Sequence, residues 1–133
     1  MNDDLYDLGT KMRRDVLGDD VDRTLLASDE FAREFEHDMT RREWGDVWSR
    51  PGLDRRTRIS ITLAMLVLQG MEQELGVYIR AALRNGVTMD EIMEIINQAG
   101  MYAGAPVARR AFAVARTAAR GVPEAEQQGT ADI

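Results

Sequence analysis

The chain has 133 residues, a formal net charge of −6, 44% hydrophobic and 30% charged side chains, no cysteine and a single histidine. That length suits one domain able to bury a core, and the acidic balance argues against a nucleic-acid partner. The absence of cysteine removes disulfides, thiolate metal sites and thiol peroxidase chemistry, and His37 alone makes no histidine cluster, so no metal is expected.

The longest uninterrupted apolar run, Leu63 to Leu68, is far too short to span a bilayer, and no signal-peptide pattern opens the chain. A cytoplasmic location without membrane association is the expectation. Charge is unevenly spread. Residues 1–40 carry 12 acidic and 5 basic side chains, whereas residues 41–58 carry 6 arginines against 3 acids. The middle block is a positive island, suited either to a small anion or to pairing with acidic neighbours.

Asp3 to Leu17 reads as a first helix, weakly amphipathic through Leu5, Leu8, Met12 and Val16, with Gly18 suited to stop it. Val21 to Ala27 reads as a connector. Ser28 or Asp29 can cap a second helix that runs to about Trp48. Phe31, Phe35 and Met39 are its expected core stripe. Nearly opposite stand His37, Arg41, Trp44 and Trp48. Two tryptophans there are expected to pack on another element, a partner subunit or a ligand.

Ser49 to Leu53 is a loop around Pro51-Gly52, and Asp54 can cap a helix from Arg55 to about Gly70. From Ile59 to Leu68 that helix is apolar almost all round, which predicts a central buried element. Arg58 lies in its first turns, where a cation opposes the helix dipole and points to a nearby anion. The next helix spans 71–85, and on it Met71, Glu74, Tyr78 and Ala82 share a face. Glu74 and Tyr78 are one turn apart, so both heads can reach one small ligand. They also fit an ordinary exposed glutamate and a core-edge tyrosine.

Thr88 and Glu91 form a capping box for another helix, whose stripe is Ile92, Ile95, Ile96, Ala99 and Ala103. Small residues at 99, 100, 103 and 104 allow close approach of a neighbour. Tyr102 sits at the edge of the stripe. Pro106 fits the first turn of a last helix running to about Arg120. Residues 1–120 thus read as one domain, and 121–133 as a polar, disordered tail. No strand pattern and no phosphate loop appear, and the fold class is all-α, a compact bundle of about six helices.

The run Trp44-Gly45-Asp46-Val47-Trp48-Ser49-Arg50-Pro51-Gly52-Leu53-Asp54-Arg55-Arg56-Thr57-Arg58 resembles the WGxxWxRPGLDRxxR signature of 4-carboxymuconolactone decarboxylases. Matching motifs continue through Ile61–Leu66, Arg80-Ala81-Ala82, Asn85–Thr88, Asp90-Glu91-Ile92 and Tyr102–Pro106. Upstream, Arg14–Gly18 and Val21-Asp22-Arg23 resemble the family's N-terminal segment. The resemblance implies the all-helical fold of the alkylhydroperoxidase D-like superfamily. It also implies a homotrimer or homohexamer with sites near subunit contacts.

In the peroxidase branch a CxxC and a histidine fall where this chain has Met71, Glu74 and Tyr78, so peroxidase chemistry is excluded by the missing thiols. The decarboxylase branch has histidine where this chain has Tyr78, and a second one where it has Asp20. The family's substrate class is a lactone carrying carboxylates, and loss of carbon dioxide from it leaves a dienolate, so no cofactor is required.

The reaction needs a cation for the carboxylate, donors at the developing oxyanion and an acid for carbon. Arg58 is the candidate clamp for a carboxylate, with Arg50 or Arg55 as lesser candidates. Tyr78 and Tyr102 are the oxyanion donors, and Glu74 is the proton donor if an apolar pocket keeps it neutral. Trp44, Trp48 and Met71 complete the candidate binding set. The reading is a diverged, cofactor-independent enzyme acting on a small anionic substrate by decarboxylation, isomerisation or cyclisation. Its alternative is a non-catalytic oligomeric scaffold or small-molecule binding homologue.

Overall fold

The computed structural model describes residues 3–21 and 29–127. Among them are six α-helices and no strand, so the chain is all-α as its patterning predicts. The chain divides into two compact units, Met1–Asp54 and Arg55–Ile133, where the sequence reads as one domain.

In the first unit, α1 (Asp4–Leu17) starts at Asp3, whose carboxylate accepts from the Tyr6 amide at 3.1 Å. Gly18 ends it with φ +59°, a conformation that favours glycine. The expected connector and the Ser28 cap lie outside the described residues, except for buried Val21. The expected single helix from residue 29 to 48 is instead a turn, a short α2 (Arg33–Met39) and a π-helix (Thr40–Val47).

The π segment carries i→i+5 bonding, seen where the Trp48 amide donates to the Glu43 carbonyl at 2.9 Å. Each extra residue per turn rotates the downstream side chains about the axis, so a stripe counted at 3.6 residues does not hold. The structure also corrects the expected core stripe, which lies ahead of the π segment, with Phe31 in the turn before α2 and Phe35 on an exposed face of it. Phe31 is 97% and Phe35 60% exposed, whereas Trp44 is buried.

Trp44 and Trp48 stack with centroids 4.7 Å apart. Their helix crosses α1 at two glycines. A Cβ on Gly9 would collide with the Thr40 carbonyl, and one on Gly45 with the Leu5 carbonyl. The crossing is fastened by a buried Arg13–Glu36 pair at 3.2 Å and by Arg41–Asp3 at 3.0 Å.

The second unit holds α3 (Arg55–Gln69), α4 (Glu72–Arg84), α5 (Met89–Ala103) and α6 (Ala105–Arg120). α3 packs on α4 and α5, and α6 packs on the same two. Ile59, Leu63, Val67, Leu75, Ile79, Leu83, Ile92 and Ile96 fill the centre.

α5 begins at the expected capping box, with the Glu91 amide donating to Thr88 Oγ1 at 3.1 Å and the Thr88 amide to Glu91 Oε1 at 2.9 Å. The small residues of α5 do admit a neighbour. A Cβ on Gly100 would stand 2.8 Å from the Ala108 Cβ of α6.

One expectation fails here. α3 is not buried all round: Ile59, Leu63 and Val67 are, while Ile61, Met65 and Leu68 are 43–55% exposed. Within the second unit, α4 and α5 pack on the side of α3 that carries Ile59, Leu63 and Val67, and its other apolar side is exposed among the described residues. The tail is described as far as Gln127. Val122 is buried, Glu124–Glu126 form a 3-10 turn, and Gln127 Nε2 donates to the Val122 carbonyl at 3.0 Å.

Candidate active site

α4 is the helix on which the proposed chemistry rests, and its local sequence explains its form. Gly70 turns the chain at φ +68°, and the Met71 amide closes back on the Leu66 carbonyl at 3.0 Å. Glu72 and Glu74 in the first turn and Arg84 in the last complement the helix dipole. Asn85 Nδ2 bonds the Ala81 carbonyl at 2.8 Å, and Gly86, with φ +92°, carries the chain out.

Leu75, Val77, Ile79, Ala81, Ala82 and Leu83 are buried. Glu74 and Tyr78 lie at the boundary of that face, both half-buried and one turn apart. Arg58 is half-buried in the first turns of α3. α3 and α4 run antiparallel through the Gly70 turn, which sets Arg56 beside Gly86: a Cβ on Gly86 would lie 3.8 Å from Arg56 Cδ.

The eight candidate residues divide between the two units. Arg58, Met71, Glu74, Tyr78 and Tyr102 belong to the second, and Trp44, Trp48 and Arg50 to the first. Trp44 is 1% exposed, and its neighbours include Trp48 and the Arg13 guanidinium, 5.9 Å above its ring. Arg50 is exposed and holds Asp46, its Nη2 3.0 Å from Oδ2. Met71 is 43% exposed.

Tyr102 is 82% exposed and lines a groove of about 410 Å³ between α3 and α5. Ile61, Met65, Leu68 and Ile95 give that groove its apolar surface, and Thr57, Ser60 and Gln98 add polar groups, none of them charged. Tyr102 is the one candidate residue that lines it. Desolvating a carboxylate there, with no cation in the wall, is costly. Sequence reading missed this groove. The available signal was Thr57 and Ser60, three apart, interrupting the side of α3 that carries Ile61 and Met65.

Among the described residues no group of three or more His, Cys, Asp or Glu side chains is placed to hold a metal ion. Nor is any helix long and apolar enough to cross a membrane.

Known proteins carry the same sequence pattern. A model of the carboxymuconolactone decarboxylase family matches residues 33–117. The 4-carboxymuconolactone decarboxylase of Acinetobacter baylyi is 43% identical over 117 residues, 86% of this chain and 87% of the relative. The nitrosuccinic acid decarboxylase npaB of Metarhizium robertsii is 43% identical over 103 residues, 77% of this chain and 72% of the relative. An uncharacterized 15.0 kDa protein of Paracoccus denitrificans, from the nqo9-nqo10 intergenic region, is 35% identical over 82 residues, 60% of this chain and 61% of the relative.

Proposed function

The chain belongs to the carboxymuconolactone decarboxylase family, and from that membership we propose that it is a cofactor-independent decarboxylase of a small carboxylated compound. The observation that carries this reading is the pair of relatives at 43% identity, both named as decarboxylases but of different acids. The two acids share one feature. Each has a carboxylate placed so that the electron pair left by departing carbon dioxide enters a neighbouring electron-withdrawing group, a conjugated lactone in one and a nitro group in the other. A protein serving such substrates has to hold the carboxylate, stabilise oxygen-centred charge and return a proton to carbon.

Arg58 is our candidate for the first service and Tyr78 for the second. An unperturbed phenol titrates near ~10, so at neutral pH it donates a hydrogen bond and does not act as a base. Glu74, one turn away, is the proton donor in this reading. Tyr78 in place of the family's histidine makes the chain a diverged member whose proton transfers rest on the carboxyl group. Tyr102 acts only if something covers it, since an oxyanion donor 82% exposed to water gains little over solvent. We assign that cover to a second subunit in a homotrimer or homohexamer, seated on the exposed face that carries Ile61, Met65, Leu68 and Tyr102.

The test is carbon dioxide release by the purified chain from 4-carboxymuconolactone and from nitrosuccinic acid, with native mass measured alongside. Arg58→Gln is expected to raise KM by about tenfold. Glu74→Gln is expected to lower kcat by roughly 10²-fold with folding intact. Unchanged turnover in Glu74→Gln and Tyr78→Phe would remove α4 from the chemistry. The second reading, a non-catalytic binding homologue, is favoured by the loss of histidine at position 78. It predicts ligand binding without release of carbon dioxide from any such acid.

A further inference from the structure

In the second unit, charge is sorted by helix. α5 carries Asp90, Glu91 and Glu94 and no basic residue, whereas α6 carries Arg109, Arg110, Arg116 and Arg120 and no acidic one. Exposed helices commonly interleave the two signs, so that acid and base support each other one turn apart. Neither helix does so here. The helix dipole accounts for Asp90 and Glu91 in the first turn of α5 and for Arg120 in the last turn of α6. It does not account for Glu94, Arg109 or Arg116.

Glu91 is engaged, its Oε1 2.6 Å from Arg56 Nη2, and Arg110 shares a small crevice with Glu72 of α4. Asp90 and Glu94 stand one turn apart on α5, and Arg116 and Arg120 one turn apart on α6. All four are exposed, and among the described residues none of them has a hydrogen bond or an ion pair.

The fold brings these two pairs to the same end of the unit. Arg56, beside Gly86 at the close of α4, reaches Glu91, so α5 begins at that end. α6 finishes there, since a Cβ on Gly121 would stand 3.5 Å from Arg80 Cδ, and it starts at the other end with Val107 and Arg110 beside Glu72 and Leu75. The two helices are therefore antiparallel, joined at Gly104 and in close contact where Gly100 meets Ala108. Their outer sides make one face, acidic along α5 and basic along α6. Met93, 42% exposed, and Met101, 83% exposed, lie on the acidic side, and small Ala113 lies between the arginines of the basic one.

We propose that this α5/α6 face binds the same face of a second copy of the chain, about a twofold axis parallel to the helices. A turn about that axis lays α5 of one protomer on α6 of its partner and keeps their ends level. Asp90 and Glu94 then meet the partner's Arg116 and Arg120, and the contact occurs twice. A twofold axis across the helices would instead lay α6 on α6, arginine toward arginine, which like charge opposes. A second copy is the fitting occupant because it carries both halves of the pattern at matching spacing. Single exposed ion pairs contribute little, but four act together here with flexible methionines that adapt to the opposing surface. Two helices of about 22 Å give a face near the lower limit for a specific interface, so the contact is sensitive to salt and to concentration. It uses a different side of α5 from Tyr102 and stands whether or not α4 is catalytic.

The experiment is the mass of the full chain by light scattering at about 0.01 M and about 1 M salt, where the Debye length falls from about 30 Å to about 3 Å. An even number of copies is expected at low salt, and half that mass at high salt. Arg116→Glu/Arg120→Glu is expected to halve the low-salt mass, weakening association by about tenfold or more, with helix content unchanged by circular dichroism. Adding Asp90→Arg/Glu94→Arg to that variant reverses both halves of the contact and is expected to restore the mass. Arg116→Gln alone, at an exposed position, repeats the test if the reversed charges do not fold, by moving dissociation to higher protein concentration. An equal mass at both salt concentrations, or a low-salt mass that the arginine changes leave untouched, would overturn the proposal. A trimer under both conditions would overturn it while leaving the cover over Tyr102 intact. A dimer that high salt splits into single copies would support this contact and remove that cover.

Discussion

The two units of this chain hold themselves together by different means. In the second unit the helices are regular, begin and end at recognisable caps, and meet through aliphatic side chains such as Leu63, Ile79, Leu83 and Ile96. In the first, α1 and the π-helix meet backbone to backbone at Gly9 and Gly45, around a buried ion pair and a tryptophan stack. An aliphatic core tolerates conservative change because side chains can resettle. A crossing where a carbonyl occupies the place of a Cβ has nothing to resettle.

That contrast can be broken by substitution. Ile79→Ala removes a fully buried side chain from α4 and is expected to cost about 2–5 kcal/mol of unfolding free energy in chemical denaturation. Gly45→Ala adds a single methyl group, yet is expected to cost about 1–3 kcal/mol, read as a loss of the coupling between α1 and the π-helix. If Gly45→Ala were neutral while Ile79→Ala was severe, the first unit would be looser than its glycine crossing implies.

Thr88→Ala removes the capping box of α5 and is expected to cost about 1 kcal/mol. The glutamate of the same box carries a pH signature. The Thr88 backbone amide, with Arg56 nearby, holds the Glu91 carboxyl below its ordinary range. A carboxyl lowered in the folded state stabilises above its unfolded pKa and loses that contribution as pH falls through the folded value. The difference between the parent chain and Glu91→Gln is therefore expected to shrink on the acid side of the ordinary glutamate range. At the small end, Arg50→Ala breaks an exposed i,i+4 pair with Asp46 and is expected to change stability by less than about 0.5 kcal/mol.

Legibility from the sequence divides along the same line. Thr88 and Glu91 announce α5 because a capping box is a local bonding pattern, complete within four residues. The small residues around Gly100 announce a close neighbour for the same reason. Glu74 and Tyr78 can be paired because spacing on one helix fixes which side chains share a face. Phe31 and Phe35 mislead because their apolar type says core, whereas Phe31 stands in the turn before α2 and Phe35 on an exposed face of that helix; separately, i→i+5 bonding leaves no mark in residue type and displaces a face counted across Thr40–Val47. Ile61, Met65 and Leu68 mislead in another way. Their composition says buried, but whether anything covers that side of α3 depends on neighbours that a pattern does not specify. Tyr102, on the same groove, shares that fate. The meeting of Asp90 and Glu94 with Arg116 and Arg120 at one end of the second unit joins two segments that only the fold brings together.

The central claim is that α4 carries decarboxylation, with Glu74 returning the proton and Tyr78 supporting the oxyanion. Its most direct test is the release of carbon dioxide from 4-carboxymuconolactone and nitrosuccinic acid by the parent chain and by Glu74→Gln, with folding checked by circular dichroism. Release from at least one of the two acids is expected from the parent chain, with a fall of roughly 10²-fold in the variant. A folded parent chain that binds both acids and releases carbon dioxide from neither would contradict the claim.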